Sequence, residues 1–336
     1  MIQIKNNFPL KKLNTLGLNV KARYFVRTST LEEIEEVLEK HRDRFPFMVL
    51  GGGSNVLFTK DYNGLVLQPA LKGINIIDDN NGYCLVEVGA GESWDDFVKW
   101  AVESNLGGIE NLSLIPGSTG SSPIQNIGAY GVEVKDVIER VNYLDLESLS
   151  MVTISNKDCQ FGYRNSIFKT RLKNRIIITS VVFRLSRRPI FNTNYGTLQS
   201  EITKTGILNL VSIRNAVITI RKSKLPDPEE LGNAGSFFKN PVVDHIKADE
   251  IREQFETMPY FPAGENKVKI PAGWLIEKCG WKGKRTGNAG VHEKQALVLV
   301  NYGDASGEEI HNLALKISES VFHKFGINLE TEVNII

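Results

Sequence analysis

The sequence predicts a mixed α+β protein with more than one domain. Segments with apolar residues at helical spacing alternate with short apolar strands, and glycine-rich turns follow several of the strands. The length of 336 residues fits two or three domains, at about 100–200 residues per domain. No self-similar period of 20–50 residues is present, so the pattern does not indicate a repeat protein.

The first part of the chain alternates helices and strands around glycine loops. Residues 31–45 have the apolar spacing of a helix, and residues 46–58 follow as a strand, a glycine loop and a second strand. Residues 83–102 repeat strand, glycine turn and helix, with Ser93 as the expected N-cap. Residues 107–137 are too rich in glycine, serine and proline for regular structure. They carry apolar residues of the buried type, which predicts an ordered, functional loop.

The later part of the chain predicts further strands, an excursion and a long helix. Strands and turns alternate over residues 138–188, and the polar residues 189–206 form an excursion. We interpret residues 210–228 as a connection into a new domain, because the Pro-Asp-Pro at its end stops regular structure. An amphipathic helix is expected over residues 307–326.

Composition and charge narrow the class of protein. A net charge of +1 gives no global reason to bind nucleic acid. The three cysteines (Cys84, Cys159 and Cys279) are odd in number and far apart, which indicates a reducing compartment and neither a disulfide framework nor a metal site. The first residues lack the apolar core of a signal peptide, and no apolar run approaches the roughly 18 residues that span a bilayer. We therefore expect a soluble, cytoplasmic protein.

Three glycine loops point to a phosphate-bearing cofactor. They are residues 51–55, 89–91 and 117–122, each after an apolar strand. Consecutive backbone N–H groups cradle phosphate, and glycine permits close approach. Val56 and Trp94 stand where a dinucleotide fingerprint needs glycine or alanine, and no P-loop motif occurs, so we expect a cofactor outside the Rossmann class. Each loop taken alone is equally compatible with a plain tight turn.

Six motifs in order along the chain carry a specific resemblance. They are LGGGSNVL, IPGSTGSSPIQNIGAYGVE, FGYRNSIFK, GNAGSFFKNP, AGWLIEKCGWKG and LETEVNII. Together they resemble the UDP-N-acetylenolpyruvoylglucosamine reductase (MurB) family, flavoproteins of bacterial peptidoglycan synthesis, over essentially the whole chain. The resemblance implies a two-part FAD-binding unit of the vanillyl-alcohol-oxidase (PCMH) type plus a smaller α+β substrate-binding domain.

The resemblance also implies domain boundaries. Residues 1–70 would form the first FAD-binding subdomain, with the tail 327–336 returning near the active site. Residues 71–218 would form the second subdomain and include the 189–206 excursion, and residues 219–326 would form the substrate-binding domain.

The implied cofactors are FAD and, as electron donor, NADPH. The loops 51–55 and 117–122 would hold the pyrophosphate, and residues 125–130 would line the flavin. Some relatives of this fold attach flavin through histidine; neither of these two loops contains a histidine, so we expect non-covalent FAD. The implied cofactor-binding residues are Gly51, Gly52, Gly53, Ser54, Asn55, Gly117, Ser118, Thr119, Gly120, Ser121, Gln125, Asn126, Gly128, Ala129 and Tyr130.

The implied reaction reduces the enolpyruvyl ether of UDP-N-acetylglucosamine to the lactyl ether of UDP-N-acetylmuramate. Hydride passes from N5 of reduced FAD to the vinyl carbon, so the protein must stabilise an enolate and deliver one proton. By the family motifs, Arg164 and Glu332 stabilise the enolate and Ser236 donates the proton. Glu330 would share a strand face with Glu332, so only the motif alignment selects between them.

Ser236 is open to a second interpretation, as the nucleophile of a hydrolase. Such a serine needs a base within reach, usually histidine. None of the five histidines stands in a sequence context that nominates a partner, and the Gly-x-Ser-x-Gly elbow is missing around Ser236. Two further alternatives remain: another FAD-dependent oxidoreductase of the same fold that acts on a sugar or alcohol, and a non-catalytic nucleotide-binding module.

The remaining motif matches concern the substrate. Tyr195, within the 189–206 excursion, indicates the type I branch of the family. Lys239, beside Asn240, is given no role. The expected partners are the UDP-sugar and NADPH, with no nucleic acid, no membrane and no metal, and we expect a monomer. The implied substrate-binding residues are Tyr163, Tyr195, Lys224, Asn240 and Gln295.

Overall fold

A computed structural model describes residues 2–204 and 206–336; Met1 and Thr205, the second of these in the predicted excursion, lie outside the described residues. Within those two ranges no helix has the length and apolar character that crossing a membrane requires. The helices are α1 (Leu31–His41), α2 (Trp94–Glu103), α3 (Leu198–Thr203), α4 (Leu210–Lys224), α5 (His245–Gln254), α6 (Ala272–Lys278) and α7 (Gly307–Phe325). The strands are β1 (Lys5–Pro9), β2 (Lys21–Thr28), β3 (Phe47–Val49), β4 (Val56–Leu57), β5 (Tyr62–Pro69), β6 (Ile74–Asp79), β7 (Tyr83–Gly89), β8 (Gly128–Ala129), β9 (Val132–Glu133), β10 (Ile138–Asp145), β11 (Met151–Ser155), β12 (Ile176–Ser186), β13 (Gly232–Ser236), β14 (Val242–Asp244), β15 (Phe261–Pro262), β16 (Lys267–Lys269), β17 (Arg285–Thr286), β18 (Ala289–Val291), β19 (Val298–Asn301) and β20 (Asn334–Ile335).

Two compact units are assembled, each from separate stretches of chain. The first contains the residues up to Phe8 together with Ala22–Gly53 and Tyr62–Ser223. The second contains Pro9–Lys21, Ser54–Asp61 and Lys224–Ile336. The three-part division at residues 70, 218 and 326 stays a prediction.

The first unit is built on two sheets. One has the strand order β1-β2-β5-β3, in which β2 and β3 both pair with β5 in parallel. Six consecutive residues of β5, from Gly64, are buried, as expected for a parallel strand covered on both faces. The other sheet has the order β11-β10-β12-β7-β6 and is antiparallel at every pairing.

Helix α2 begins where the sequence predicts. The Ser93 side chain accepts a hydrogen bond from the N–H of Asp96, which satisfies an otherwise unpaired donor of the first turn and confirms the predicted N-cap. Phe97 on its buried face lies 4.9 Å from Phe183 of β12, ring centroid to centroid. The predicted ordered loop that follows is also confirmed, since Ile109 and Leu112 are completely buried.

Residues 210–228, interpreted as a connection into a new domain, include the point after Ser223 where the chain passes from the first unit to the second, but most of them belong to a helix of the first unit. Residues 210–224 form helix α4, whose residues Ile213, Val217 and Ile220 pack with Leu198 of α3 in one apolar cluster. Several of its residues are β-branched, which weakens the helical signal in the sequence, and packing of the apolar face overrides that preference. The helix ends at Lys224, ahead of Pro226.

The second unit is centred on the antiparallel sheet β13-β19-β18-β17 and on helix α7. The predicted helix over 307–326 is confirmed: a capping box of Ser306 and Glu309 starts it, and Gly326 ends it with a φ of 66°. Phe237 and Phe238, which follow β13, are 1% and 2% exposed and therefore pack in the core. A parallel pairing of β20 with β4 joins the C-terminal tail to residues 54–61.

Candidate active site

The glycine loops of the first unit lie against one another. The N–H of Gly120 donates to the carbonyl of Ala90 at 2.9 Å, which joins the third loop to the second. A Cβ on Gly52 would lie 2.7 Å from the Cα of Gly117, and one on Gly51 would collide with the Ser121 hydroxyl. The loops therefore meet backbone to backbone, and only glycine fits at these contacts.

The surroundings of the loops suit a pyrophosphate. The hydroxyls of Ser118 and Ser121 lie 2.9 Å apart at the contact with Gly51. Gln68 fixes the loop 51–55 by donating from Nε2 to the Gly51 carbonyl at 3.0 Å. Nε of Arg27 in turn donates to Oε1 of Gln68 at 2.9 Å. The two serine hydroxyls and the absence of Cβ atoms on the glycines let phosphate oxygens approach the loops closely, so the predicted residues fit FAD.

Asn126 uses its side chain to shape the predicted flavin-lining segment. Its Nδ2 donates to the carboxylate of Glu133 at 3.1 Å and to the carbonyl of Gly162 at 3.0 Å, while its Oδ1 accepts from the N–H of Lys135. The residue is fully buried and has a φ of 47°, which asparagine tolerates better than most residues. It thereby fixes the loop that carries Tyr163 and Arg164.

Arg164 is fastened to the same segment. Its Nη2 donates to the carbonyl of Gly128 at 2.9 Å, and its guanidinium lies 5.7 Å from the centre of the Tyr163 ring. The residue is half-buried and has a φ of 51°, a left-handed conformation that costs free energy for a side chain without special tolerance. Backbone strain of this kind clusters at functional sites. The first unit thus brings Arg164, Tyr163 and the 125–130 segment together.

Tyr195 lies against Tyr130. Their ring centroids are 5.9 Å apart with an interplanar angle of 83°, an edge-to-face contact. Burial raises the pKa of Tyr130; the nearby positive charge of Arg221 opposes this, and Tyr195 adds to it. Tyr130 therefore keeps its proton and remains a hydrogen-bond donor at neutral pH.

In the second unit, Ser236 and Glu332 are on paired segments. Ser236 is the exposed last residue of β13. The N–H of Glu332 donates to the carbonyl of Phe237 at 2.8 Å, and Phe238 forms a bridge with Thr331. This short antiparallel pairing places Glu332 opposite Phe237, the residue that follows Ser236.

The structure distinguishes the two carboxylates that the sequence leaves equivalent. Glu332 is 9% exposed, whereas the side chain of Glu330 is 73% exposed and forms an ion pair with Lys239. Lys239, for which the sequence offers no role, thereby fastens the tail to the segment after β13. The carbonyl of Glu332 accepts from Nδ2 of Asn55 at 3.2 Å. Asn55 therefore has a structural task in the second unit beside its predicted contact with the cofactor.

The predicted substrate-binding residues of the second unit divide into two groups. Asn240 accepts a hydrogen bond from the N–H of Ala272 at 2.9 Å, and Oε1 of Gln295 lies 3.0 Å from the Cβ position of Gly273. Both residues therefore lie at the start of α6. Lys224 is exposed and is the last residue of α4.

An ion pair that the sequence does not reveal supports the site in the first unit. Arg214 of α4 donates to both carboxylate oxygens of Asp95, at 2.7 and 2.9 Å. Burial raises the pKa of Asp95, but the bonds from Arg214 and from the N–H of Leu114 outweigh this, so its pKa is lowered overall. Arg221 lies about two turns further along the same face of α4, and burial lowers the pKa of its guanidinium.

Comparison with known proteins identifies two matching families. A model of an FAD-binding domain matches residues 22–152, and a model of the UDP-N-acetylenolpyruvoylglucosamine reductase C-terminal domain matches residues 227–336. The UDP-N-acetylenolpyruvoylglucosamine reductase of Flavobacterium johnsoniae is 48% identical to the chain, and the alignment covers 100% of both.

Two solved structures bear on the fold. MurB from Thermus caldophilus superposes with a TM-score of 0.68 at 24% identity, over 100% of this chain and 98% of the other. A p-cresol methylhydroxylase superposes with a TM-score of 0.51 at 13% identity, over 96% of this chain and 83% of the other. Both agree with an FAD-binding fold of the PCMH type.

These comparisons confirm the predicted fold class and the enzyme class, an FAD-dependent oxidoreductase. They also confirm the predicted cofactors, FAD with NADPH as the electron donor of this class of enzyme. The alternatives of a different FAD-dependent oxidoreductase, a hydrolase or a non-catalytic module gain no support. With 48% identity over its full length, the chain belongs to the UDP-N-acetylenolpyruvoylglucosamine reductase family.

Proposed function

We propose that the protein reduces UDP-N-acetylenolpyruvoylglucosamine to UDP-N-acetylmuramate with NADPH, a step of peptidoglycan precursor synthesis. The observation that carries the residue assignment is the pairing of the chain after Ser236 with the buried segment of Glu332. It places a hydroxyl group, which can donate the proton, and a buried carboxyl group on adjoining segments of one unit.

The reaction adds a hydride and a proton across the carbon–carbon double bond of the enolpyruvyl group, and NADPH becomes NADP⁺. FAD, when bound, accepts hydride from NADPH and supplies it to the vinyl carbon. The residues that would hold it are those of the 51–55 and 117–121 loops and of the 125–130 segment. NADPH needs no binding fold of its own if it only docks against the flavin, in keeping with the missing dinucleotide fingerprint.

Arg164 binds the carboxylate of the enolpyruvyl group. Its guanidinium is planar and permanently charged, so it offers two parallel N–H donors to a carboxylate. As hydride arrives, negative charge grows on the adjacent carbon and spreads into that carboxylate. Interaction with Arg164 therefore becomes stronger in the transition state, and removing such a donor typically costs about 10²–10³ in rate. Attachment to Gly128 holds the guanidinium in place before substrate binds.

Ser236 donates the proton to the carbanionic carbon. A hydroxyl is a weak acid, but an enolate is a strong base, and the transfer needs only a donor in the right position. Glu332, when protonated, donates a hydrogen bond to the developing enolate.

The remaining assignments concern substrate binding and cellular setting. Lys224, Asn240 and Gln295 bind the diphosphate and uridine, and Tyr163 and Tyr195 cover the nucleotide. We place the enzyme in the cytoplasm, where NADPH and UDP-sugars are made and where three unpaired cysteines stay reduced. The monomer stays a prediction, which sedimentation measurements test.

An anaerobic spectral titration of the purified holoenzyme tests the proposal. NADPH is expected to bleach the flavin band, and UDP-N-acetylenolpyruvoylglucosamine is expected to restore it in stoichiometric amount with formation of UDP-N-acetylmuramate. Bleaching by an alcohol or sugar but not by NADPH would instead support the oxidase alternative. Labelling of Ser236 by a fluorophosphonate in a colourless protein would support the hydrolase.

A further inference from the structure

A buried asparagine outside the predicted site joins three loops of the first unit. Asn111 is 1% exposed. Its Nδ2 donates to the carbonyl of Tyr130 at 2.9 Å and to the carbonyl of Asn192 at 2.8 Å. Both amide hydrogens are therefore used, one on each loop. Neither partner is near Asn111 in sequence, so the contacts do not serve the local turn around it.

The first of these loops is a strained hairpin. Strands β8 and β9 are joined by the two residues Tyr130 and Gly131, with φ of 49° and 79°. A two-residue hairpin turn of type I′ requires positive φ at both central positions, which suits asparagine or glycine and disfavours tyrosine. The bond from Asn111 to the Tyr130 carbonyl holds this unfavourable conformation and, with it, the direction of the Tyr130 ring.

The second loop is the start of the 189–206 excursion. Asn192 donates from Nδ2 to the carbonyl of Gly131 at 3.0 Å, and a Cβ on Gly131 would lie 3.0 Å from that same nitrogen. Three residues further on, the Tyr195 ring meets the Tyr130 ring edge to face. The hairpin and the excursion are thus joined once directly, by Asn192, and once through Asn111, which bonds to both of them.

We infer that Asn111 is a positioning residue for the substrate half of the reaction, because it fixes Tyr130 and Tyr195 relative to each other. The inference rests on the proposed function, which gives Tyr195 the substrate. Asn111 does not contact substrate itself. It acts through the carbonyls of Tyr130 and Asn192, so its loss lets the two rings separate.

Asn111→Asp tests the inference in the holoenzyme. The substitution keeps the size of the side chain but replaces the donor nitrogen with an oxygen that faces two carbonyls. We expect KM for the UDP-sugar, and its Kd for the oxidised enzyme by calorimetry, to rise about tenfold or more. Tyr130 is also one of the predicted flavin-lining residues, so bound FAD and the rate of flavin reduction by NADPH are measured in the same variant. We expect both to fall by less than KM rises; an equal or larger loss of FAD would assign Asn111 to the cofactor site and overturn the inference.

Asn156→Asp is the matched control. Asn156 also donates from Nδ2 to two main-chain carbonyls, those of Lys135 and Ile138, both at 2.7 Å. It lies at the end of β11 and bridges neither the Tyr130 hairpin nor the excursion. We expect its KM to match the wild type. If Asn111→Asp does not fold, Asn192→Ala removes the bond to Gly131 from an exposed position and is expected to raise KM in the same way.

Tyr195→Phe separates failure of the inference from failure of the proposed function. If Tyr195→Phe raises KM and the double variant with Asn111→Asp is less impaired than the product of the two single effects, the inference holds. An impaired Tyr195→Phe beside an unaltered Asn111→Asp overturns the inference and leaves the proposed function standing. If Tyr195→Phe is unaltered, Tyr195→Ala removes the ring as well as the hydroxyl; an unaltered Tyr195→Ala contradicts the substrate role of Tyr195 and overturns the inference with it.

Discussion

Phe237 and Glu332 share a main-chain hydrogen bond of 2.8 Å, although 95 positions separate them in the sequence. The bond fastens the C-terminal tail beside the residue that follows Ser236. Any displacement of the tail therefore moves the Glu332 carboxyl group relative to the Ser236 hydroxyl. The catalytic assignments of the second unit depend on this pairing, and the first prediction tests one of its two members.

Ser236→Ala is expected to separate the two half-reactions. Reduction of the flavin by NADPH should proceed at the wild-type rate, because no proton from Ser236 is needed there. Reoxidation by the UDP-sugar should slow by about 10²–10⁴-fold, the usual contribution of a positioned proton donor. Anaerobic stopped-flow absorbance measures both rates. Unchanged reoxidation would reject the proton-donor role, and partial recovery in Ser236→Cys, which restores a weak donor, would strengthen it.

Arg164→Lys keeps the positive charge but removes the planar pair of donors. We expect reoxidation by the UDP-sugar to slow by about 10²-fold, with bound FAD and reduction by NADPH retained. Arg171→Lys, in the exposed turn after FGYRNSIFK, is the control and should behave as wild type. Loss of FAD from a folded Arg164→Lys protein would mean that Arg164 binds the cofactor and not the substrate.

Gly52→Ala tests the cradle directly. The new Cβ would lie 2.7 Å from the Cα of Gly117, a backbone atom that cannot move aside, while the φ of Gly52 is not itself unfavourable for alanine. We expect loss of most bound FAD and a decrease in unfolding free energy of about 1–3 kcal/mol. Flavin absorbance per protein and denaturant unfolding check this.

Gly82→Ala is the matched control for the cradle. The nearest atom to its Cβ, Oδ1 of Asn80, lies at an ordinary contact distance of 3.6 Å. Full FAD content and wild-type stability are expected in this variant. If Gly52→Ala also keeps its FAD, the 51–55 loop does not bind the pyrophosphate.

The Asp95–Arg214 pair is expected to give the first unit an acid-sensitive component of stability. The pKa of Asp95 is lowered in the folded protein, so the pair contributes fully above the unfolded value of about 3.9 and is lost as pH falls through the folded pKa. Asp95→Asn should therefore cost about 1–3 kcal/mol of unfolding free energy at pH 7. The difference from wild type should shrink as pH falls below about 4.

Glu103→Gln provides the comparison for that measurement. Glu103 lies on the same helix as Asp95 and is paired with Lys99 at 3.9 Å, but both side chains are more than half exposed. Exposed pairs contribute little, so no measurable change is expected at either pH. Equal effects of the two substitutions would mean that burial does not strengthen the Asp95 pair.

The sequence motifs indicate candidate site residues but not the long-range pairs that hold the first unit together. The glycine loops, the capped helix after Ser93 and the segments around Arg164 and Ser236 are recognisable because each is encoded by adjacent residues. The bond from Asn111 to Asn192 joins residues 81 positions apart, and Asp95 and Arg214 are 119 apart. No local pattern encodes such pairs, because each side chain taken alone resembles a solvated polar residue.

Helix α4 shows a second limit of sequence patterns. Its apolar residues Ile213, Val217 and Ile220 have helical spacing, but all three are β-branched and therefore equally typical of strands. The packing of these residues against Leu198 determines the outcome. The same limit applies to Glu330 and Glu332, which are alike in sequence and differ only in burial.

The second unit has a consequence for biosynthesis. Residues 9–21 and 54–61 leave the ribosome early, yet their partners lie near the end of the chain: Leu16 accepts a hydrogen bond from the Asn301 side chain, and Thr59 donates to the carbonyl of Ile336. These contacts of the two early stretches can form only when almost the whole polypeptide has been made. The first unit has all of its residues by position 223, so on the ribosome it can fold before the second unit is complete.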